Sequence, residues 1–149
     1  MVFLDIDNDR KLVIVRHIGE VTISSLTNAW LTFIYTKSFR ELGFNLLSDC
    51  RGAKFIFRMN ELGVARSFMK EYKTILQGKK VAMITDEPYT TAVGTLFERF
   101  AYEDARMVLK VFSTEGAALK WVMNCKFICL CSINNCVRKE PHNTPAHKT

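Results

Sequence analysis

The segment FNLLSDCRGAKF, residues 44–55, indicates how this chain folds. Its first residues are almost continuously apolar, as expected for a strand that other elements cover on both faces. The apolar run ends at Asp49 and is followed by Cys50, Arg51 and Gly52. In open α/β sheets, ligands bind beyond the carboxyl ends of the parallel strands. The segment therefore predicts an α/β fold with a buried strand whose polar end is a candidate site.

The residues before this strand predict a hairpin and then a helix. The β-rich runs VFLDI (2–6) and KLVIVRHIG (11–19) flank the polar break DNDR, in which Asn8 and Asp9 suit a tight turn. The next stretch, residues 24–39, changes to helical spacing, and Ser24 or Ser25 is expected to cap it. Its apolar stripe consists of Leu26, Ala29, Trp30, Phe33 and Ile34.

Strands and helices alternate after the buried strand. We expect helices over residues 60–78, 89–104 and 113–122, with Asn60 and Ser113 or Thr114 as N-caps, and strands over 80–88 and 107–112. The last helix is expected to bury Ala117, Ala118, Trp121 and Val122. This order predicts a single mainly parallel sheet of about five strands, with an N-terminal hairpin and about four helices.

Composition indicates one soluble domain and an extension. The chain has 149 residues, of which 48% are apolar and 24% charged, as in an ordinary globular domain. Its start does not resemble a signal peptide, and no apolar run reaches the roughly 18 residues of a spanning helix, so we expect a cytoplasmic protein without a transmembrane segment. Residues 125–149 contain four of the five cysteines and two of the three prolines. We therefore assign residues 1–124 to the domain and 125–149 to a partly disordered, dispensable extension.

The domain resembles the STAS-like superfamily, and within it the SpoIIAA-like branch. The resemblance rests on LLSDCRGAKF (46–55), VAMITDEPYTTAV (81–93) and VLKVFSTEGAALKWV (108–122). It implies a β–α sheet fold that serves binding and regulation. Relatives of similar topology include the CRAL-TRIO lipid-transfer domains, which hold apolar ligands.

One departure from the resemblance concerns regulation. Anti-sigma-factor antagonists of this fold carry a phosphorylatable serine in an Asp-Ser-Ser-Gly-like turn after the strand. The corresponding stretch here, FIFRMNELGVA (55–65), has no serine or threonine, and Arg58, Met59 and Asn60 lie near the expected phosphosite. This departure puts the phosphorylation switch in doubt, and it leaves partner binding by this surface open.

The sequence offers no recognisable catalytic set. Phosphate-binding, dinucleotide-binding and nucleophile-elbow motifs do not occur. His17 is the one histidine before residue 125, which excludes a site built on paired histidines in the domain, and we expect a satisfied or surface imidazole. Arg51 would favour a thiolate at Cys50, but the sequence places no base beside it. We expect no enzymatic activity, no catalytic residues, no cofactor and no metal.

Polar residues at the predicted strand ends form the candidate site. Asp49, Arg51, Asp86 and Tyr89 are the candidate rim for a ligand or partner. The alternative is that these residues only satisfy helix amides and one another, and Asp86, two residues before Pro88, has the pattern of an N-cap.

The sequence leaves two alternative binding functions open. The first is a non-enzymatic regulatory module that contacts a protein partner or forms a homo-oligomer. The second is a carrier or sensor of a small apolar or lipid-like ligand, held between the sheet and the aromatic residues Trp30, Phe33, Phe97 and Phe100, which are otherwise core. We expect no nucleic-acid partner, because the basic stretch 51–80 lacks interleaved exposed aromatic residues.

The extension supports neither a metal site nor a lipid anchor. The spacing of Cys125, Cys129, Cys131 and Cys136 fits only one zinc knuckle, and no terminal lipidation motif is present. We expect its apolar segment to lie on the domain or on a partner.

Overall fold

Seven strands form two sheets in the protein, a computed structural model that describes residues 1–124. In chain order they are β1 (Val2–Asp7), β2 (Leu12–His17), β3 (Gly19–Val21), β4 (Asn45–Asp49), β5 (Ala53–Phe55), β6 (Lys80–Ile84) and β7 (Val108–Phe112). The main sheet has the order β1-β2-β4-β6-β7. Only β1 runs antiparallel to its neighbour, and the other pairs are parallel. The predicted five-stranded, mainly parallel sheet with an N-terminal hairpin is confirmed.

Six helices connect the strands. They are α1 (Ile23–Ile34), α2 (Lys37–Arg40), α3 (Leu62–Glu71), α4 (Lys73–Leu76), α5 (Pro88–Ala105) and α6 (Glu115–Val122). Because α2 and α4 are single turns of four residues, four longer helices remain, as predicted. Among residues 1–124 we find no helix with both the length and the apolar character that a bilayer crossing requires.

A second, two-stranded sheet was not predicted. β3 and β5 pair in parallel, and the Gly19 amide donates to the carbonyl of Gly52 at 2.8 Å. Both strands have three residues, too few for an alternating pattern to be visible in the sequence. The β3–β5 pair is thus a small addition to the predicted main sheet of five strands.

Helix starts differ from the prediction for reasons of local capping. Thr22, rather than Ser24 or Ser25, caps α1, and its side chain and that of Ser25 satisfy each other's backbone amides. The predicted helix over 60–78 is divided into a 3-10 turn (Met59–Glu61), α3 and α4. Gly78 ends it with a positive φ of 77°, a conformation that glycine adopts without strain.

The two faces of the main sheet are covered unequally. α1, α3 and α5 pack on the first face and form the large apolar core. α6 packs on the second face through Ala118 and Val122, against Leu47 and the neighbouring strands. Ala117 is exposed, contrary to prediction, because it lies one helical position away from this stripe. Trp121 is half-buried, with its ring 5.6 Å from that of Phe112.

The extension 125–149 lies outside the described residues. The predictions of a dispensable tail, of an apolar segment lying on the domain or a partner, and of no zinc site there stay predictions.

Gly94 is the position at which α5 approaches the sheet most closely. A Cβ at this position would lie 2.9 Å from a methyl group of Val111 and 3.1 Å from the sulfur of Met83. Overpacking of this kind costs about 1–3 kcal/mol, more than the gain of roughly 1 kcal/mol in helix propensity from glycine to alanine. We predict that Gly94→Ala lowers the free energy of unfolding by about 1 kcal/mol, measured by urea denaturation.

Gly116 in α6 provides the matched control. Within residues 1–124, and apart from its chain neighbours and the backbone of α6 itself, no atom lies within 4 Å of the Cβ that alanine would add there. Gly116→Ala should be neutral or stabilising, and equal effects of the two substitutions would contradict the close packing of α5.

Candidate functional site

Four charged side chains meet at the carboxyl end of the main sheet, and we call them the strand-end cluster: Arg16, Asp49, Arg51 and Glu115. Arg51 binds Asp49 in a bidentate manner, with Nε 2.9 Å from Oδ1 and Nη2 2.8 Å from Oδ2. The Arg51 backbone amide also donates to Oδ1 at 3.1 Å. Arg16 Nε lies 3.5 Å from Asp49 Oδ2, and Arg51 also binds Glu115 at 3.1 Å. Pairing of Asp49 with Arg51, the alternative to a binding rim, is thus present and belongs to a larger ionic network.

The sheet register brings the cluster together. Arg16 and Asp49 are direct neighbours in the parallel β2–β4 pair. After Asp49, the Cys50 amide makes the last ladder bond to Ile84, and the chain turns toward β5. Thr114 caps α6 and places Glu115 in its first turn. Arg16 and Glu115 are not among the predicted site residues, although the polar position of Arg16 in an alternating strand is a usable signal.

The electrostatics of the cluster favour a permanently ionised carboxylate. The hydrogen bond from Arg51 lowers the pKa of Asp49, and this effect exceeds the opposing effect of burial. The pKa of Arg51 is raised by the same hydrogen bond and by the bond to Glu115. A carboxylate with a lowered pKa that accepts several hydrogen bonds is a poor general base. The cluster therefore ties β2, β4 and α6 together.

Asp86 and Tyr89 do not join the strand-end cluster, since no contact within residues 1–124 links them to it. Asp86 is exposed and makes no side-chain hydrogen bond in that part of the chain. Glu87, not Asp86, caps α5, and its carboxylate accepts from the amides of Tyr89 and Thr90 at 3.2 and 2.8 Å. The Tyr89 hydroxyl donates to the carbonyl of Phe57 at 2.6 Å.

Tyr89 lies instead beside a second surface, which we call the 56–64 patch. Ile56, Met59 and Val64 are 44%, 54% and 50% exposed. The Glu61 side chain accepts from the Arg58 amide at 2.6 Å, which fixes the turn that presents Met59. Large apolar side chains that are exposed close together mark interaction sites more often than isolated ones do. The patch lies where the sequence lacks a phosphorylatable residue.

A small apolar cavity lies within the core on the first face of the sheet. Its volume is about 40 Å³, and its polar lining groups are Ser48 and Cys50, whose side chains are 3.6 Å apart. Burial raises the pKa of the Cys50 thiol to about 12, so that the thiol stays protonated and unreactive. The rest of the lining is apolar: Leu26, Trp30, Phe33, Leu46, Phe55, Phe68, Met69, Leu76, Val81, Met83, Phe97, Met107 and Leu109.

His17 is buried at the end of β2, with 1% of its surface exposed. Within the described chain its Nδ1 has no hydrogen-bond partner, so the expectation of a satisfied or surface imidazole was wrong. Burial, assisted by the positive charge of the N-terminus, lowers its pKa to about 4. The imidazole is therefore neutral at neutral pH.

Comparisons with known proteins support the fold. No protein-family model and no curated protein matches the sequence. The chain is similar in structure to an uncharacterised protein of the DUF3478 family with a SpoIIAA-like fold, from Shewanella loihica. The identity is 13%, the match covers 81% of this chain and 93% of that chain, and the TM-score is 0.52.

Two further solved structures have a TM-score of 0.49 at 15% identity, and each match covers 82% of this chain. They are the anti-sigma factor antagonist SpoIIAA in its unphosphorylated form and the Bacillus cell fate determinant SpoIIAA in the phosphorylated form, covered over 97% and 99% of their lengths. The likeness to the Shewanella protein shows that the chain has a SpoIIAA-like fold, as the sequence resemblance predicted.

The strand-end cluster predicts unequal effects of removing its two central residues. Asp49→Ala leaves the Arg51 backbone amide without its hydrogen-bond acceptor, and it removes the carboxylate that the Arg16 and Arg51 guanidinium groups share. We expect this to lower the free energy of unfolding by about 1–3 kcal/mol. Arg51→Ala keeps the backbone amide and Arg16 beside Asp49, and it opens the carboxylate to water. We therefore expect urea denaturation to show a larger loss of stability for Asp49→Ala, and a double variant less destabilised than the sum of the two. Equal, small and additive losses would contradict this account.

His17 predicts a loss of stability in mild acid. Its pKa is lower in the folded state than in the unfolded chain, so the unfolded chain binds more protons between about pH 6.5 and 4. The contribution of His17 to stability is present above pH 6.5 and declines as the pH falls, by up to roughly 3 kcal/mol. Chemical denaturation of His17→Leu across this range should show a flatter pH dependence than the native chain. Parallel pH profiles would show that His17 is not buried as described.

Proposed function

We propose that this protein, built on a SpoIIAA-like fold, is a non-enzymatic binding module that acts through protein–protein contact at the 56–64 patch. The exposure of Ile56, Met59 and Val64 within nine residues carries this proposal. Tyr89, 37% exposed, extends the same surface, because its hydroxyl is bound to the Phe57 carbonyl. An amphipathic aromatic beside apolar side chains is a composition typical of interface cores.

The charges around the patch indicate the chemistry of the partner. Lys54 and Arg58 are exposed beside it, in a stretch (51–80) that holds eight Lys and Arg against two Glu. A partner surface with apolar side chains rimmed by carboxylates would be complementary to this arrangement. Since residues 55–65 contain no serine or threonine, we propose that phosphorylation within this segment does not control the contact.

The proposal of a non-enzymatic role rests on how the reactive side chains are used. Asp49 is held by Arg51 in an ion pair, the Cys50 thiol is buried with a raised pKa, and the His17 imidazole is buried. Within residues 1–124, these three side chains are thus committed to the interior or to an ion pair. Regulation by the module and its cytoplasmic location stay predictions from the sequence.

Site-specific photocrosslinking in cells tests the proposed contact. A photoreactive phenylalanine analogue is placed at Met59 and, as a matched control, at Leu42, which is 56% exposed and precedes β4 at the opposite end of the sheet. We expect a discrete protein adduct from position 59 and none from position 42. The adduct should disappear when Ile56→Asp places a carboxylate in the patch. Adducts of equal yield from both positions, or none from position 59, would contradict the proposal.

The apolar cavity supports a second candidate function, a carrier or sensor of a small apolar ligand. Its position between the sheet and Trp30, Phe33 and Phe97 is the one expected for such a ligand. Its volume of about 40 Å³ is well below the roughly 150 Å³ that admits benzene in an engineered cavity. A ligand would therefore have to displace flexible lining side chains such as Met69 and Met83. A small molecule that copurifies with the protein distinguishes this function from the first.

A further inference from the structure

The two edges of the main sheet are protected to different degrees. At the β7 edge, the outward-facing amide of Val111 donates to Glu98 Oε1 at 2.7 Å, and α5 packs along the strand. At the β1 edge, Val2, Phe3 and Leu4 are 38%, 49% and 39% exposed. An exposed apolar edge strand is a template for pairing with another strand.

The hydrogen bonding of β1 identifies the groups that are free. Met1 and Ile18 exchange both backbone bonds, which sets the alternation along the antiparallel β1–β2 pair. By that alternation the amides and carbonyls of Val2, Leu4 and Ile6 face away from β2. The Ile6 amide is capped by the side chain of Asp5 at 2.9 Å. The Val2 and Leu4 amides make no hydrogen bond within residues 1–124.

We propose that a second copy of this chain pairs with β1 in an antiparallel, two-fold arrangement centred on Leu4. Leu4 then exchanges both backbone bonds with Leu4 of the second copy, and Val2 donates to the Ile6 carbonyl of that copy. On the first face of the sheet this register places Leu4 opposite Leu4 and Val2 opposite Ile6, so that apolar side chains meet across the axis.

The residue pattern of β1 matches that of a second copy of the strand, and charge disfavours the neighbouring register centred on Asp5. On the second face, Phe3 lies opposite Asp5 of the other copy, in the row that continues through Arg16 on β2. An axis centred on Asp5 would instead place two Asp5 carboxylates directly opposite each other, which is destabilising. The strand is therefore complementary to itself in one register and repelled in the next.

The experiment measures the mass of the full-length chain by analytical ultracentrifugation. An interface below about 1,200 Å² binds weakly, so the concentration runs from about 10 µM to about 1 mM. We expect a reversible shift toward twice the 17.1 kDa chain mass as the concentration rises. A chain that stays monomeric throughout this range would overturn the proposal.

Charge exchange at Leu4 tests the register. Leu4→Asp and Leu4→Lys should each remove the dimer, because like charges then meet across the axis, while unchanged melting temperatures show that both variants fold. A mixture of the two should restore a heterodimer, since Leu4 faces its own copy. The same exchanges at Val108, 38% exposed on the opposite edge strand, should leave the dimer intact.

Two other outcomes of the charge exchange at Leu4 would count against the proposal. Dimers that persist in both Leu4 variants would place the interface elsewhere on the chain and overturn the proposal. A mixture that fails to associate would overturn the register centred on Leu4. The photocrosslinking adduct at Met59 is independent of these results, because the 56–64 patch does not include β1.

Discussion

The burial of β4 and β6 on both faces is the constraint on which the rest of the structure depends. Every residue of β6 is buried, and Leu46 and Leu47 of β4 point into the two opposite cores. Strands in this position have no solvent-facing side on which polar groups could be placed. Charged and exposed groups are therefore displaced to the strand ends, to the connections and to the sheet edges. The strand-end cluster, the 56–64 patch and the β1 edge occupy these three kinds of position.

The strand-end cluster shows how such a position is stabilised. Asp49 is desolvated at the end of a buried strand, and such a carboxylate is tolerated only when it is paired and hydrogen-bonded. Arg51 and its backbone amide provide this compensation, and Glu115 links the arrangement to α6. The cluster therefore joins the helix of the second face to the sheet, and we propose binding at surfaces with exposed apolar side chains instead.

The features that could be predicted from the sequence are those that depend on the pattern of neighbouring residues. The alternation of strands and helices, the hairpin at Asn8 and Asp9, and the pairing of Asp49 with Arg51 are visible within short windows, and the structure contains them. The rest depends on register between distant segments. Glu115 lies 64 residues from Arg51 in sequence, and the cavity is lined by residues from most of the chain. No local pattern encodes such contacts, and three-residue strands such as β3 are too short to produce a period.

Native mass spectrometry of the tagged chain, purified gently from cells, tests the central claim that this module acts through protein contact. The account predicts the chain in complex with a second protein, without a stoichiometric small molecule, and loss of that complex on Met59→Asp. The spectrum would contradict the account if the 17.1 kDa chain carried a stoichiometric small apolar molecule, released on unfolding, and no protein partner.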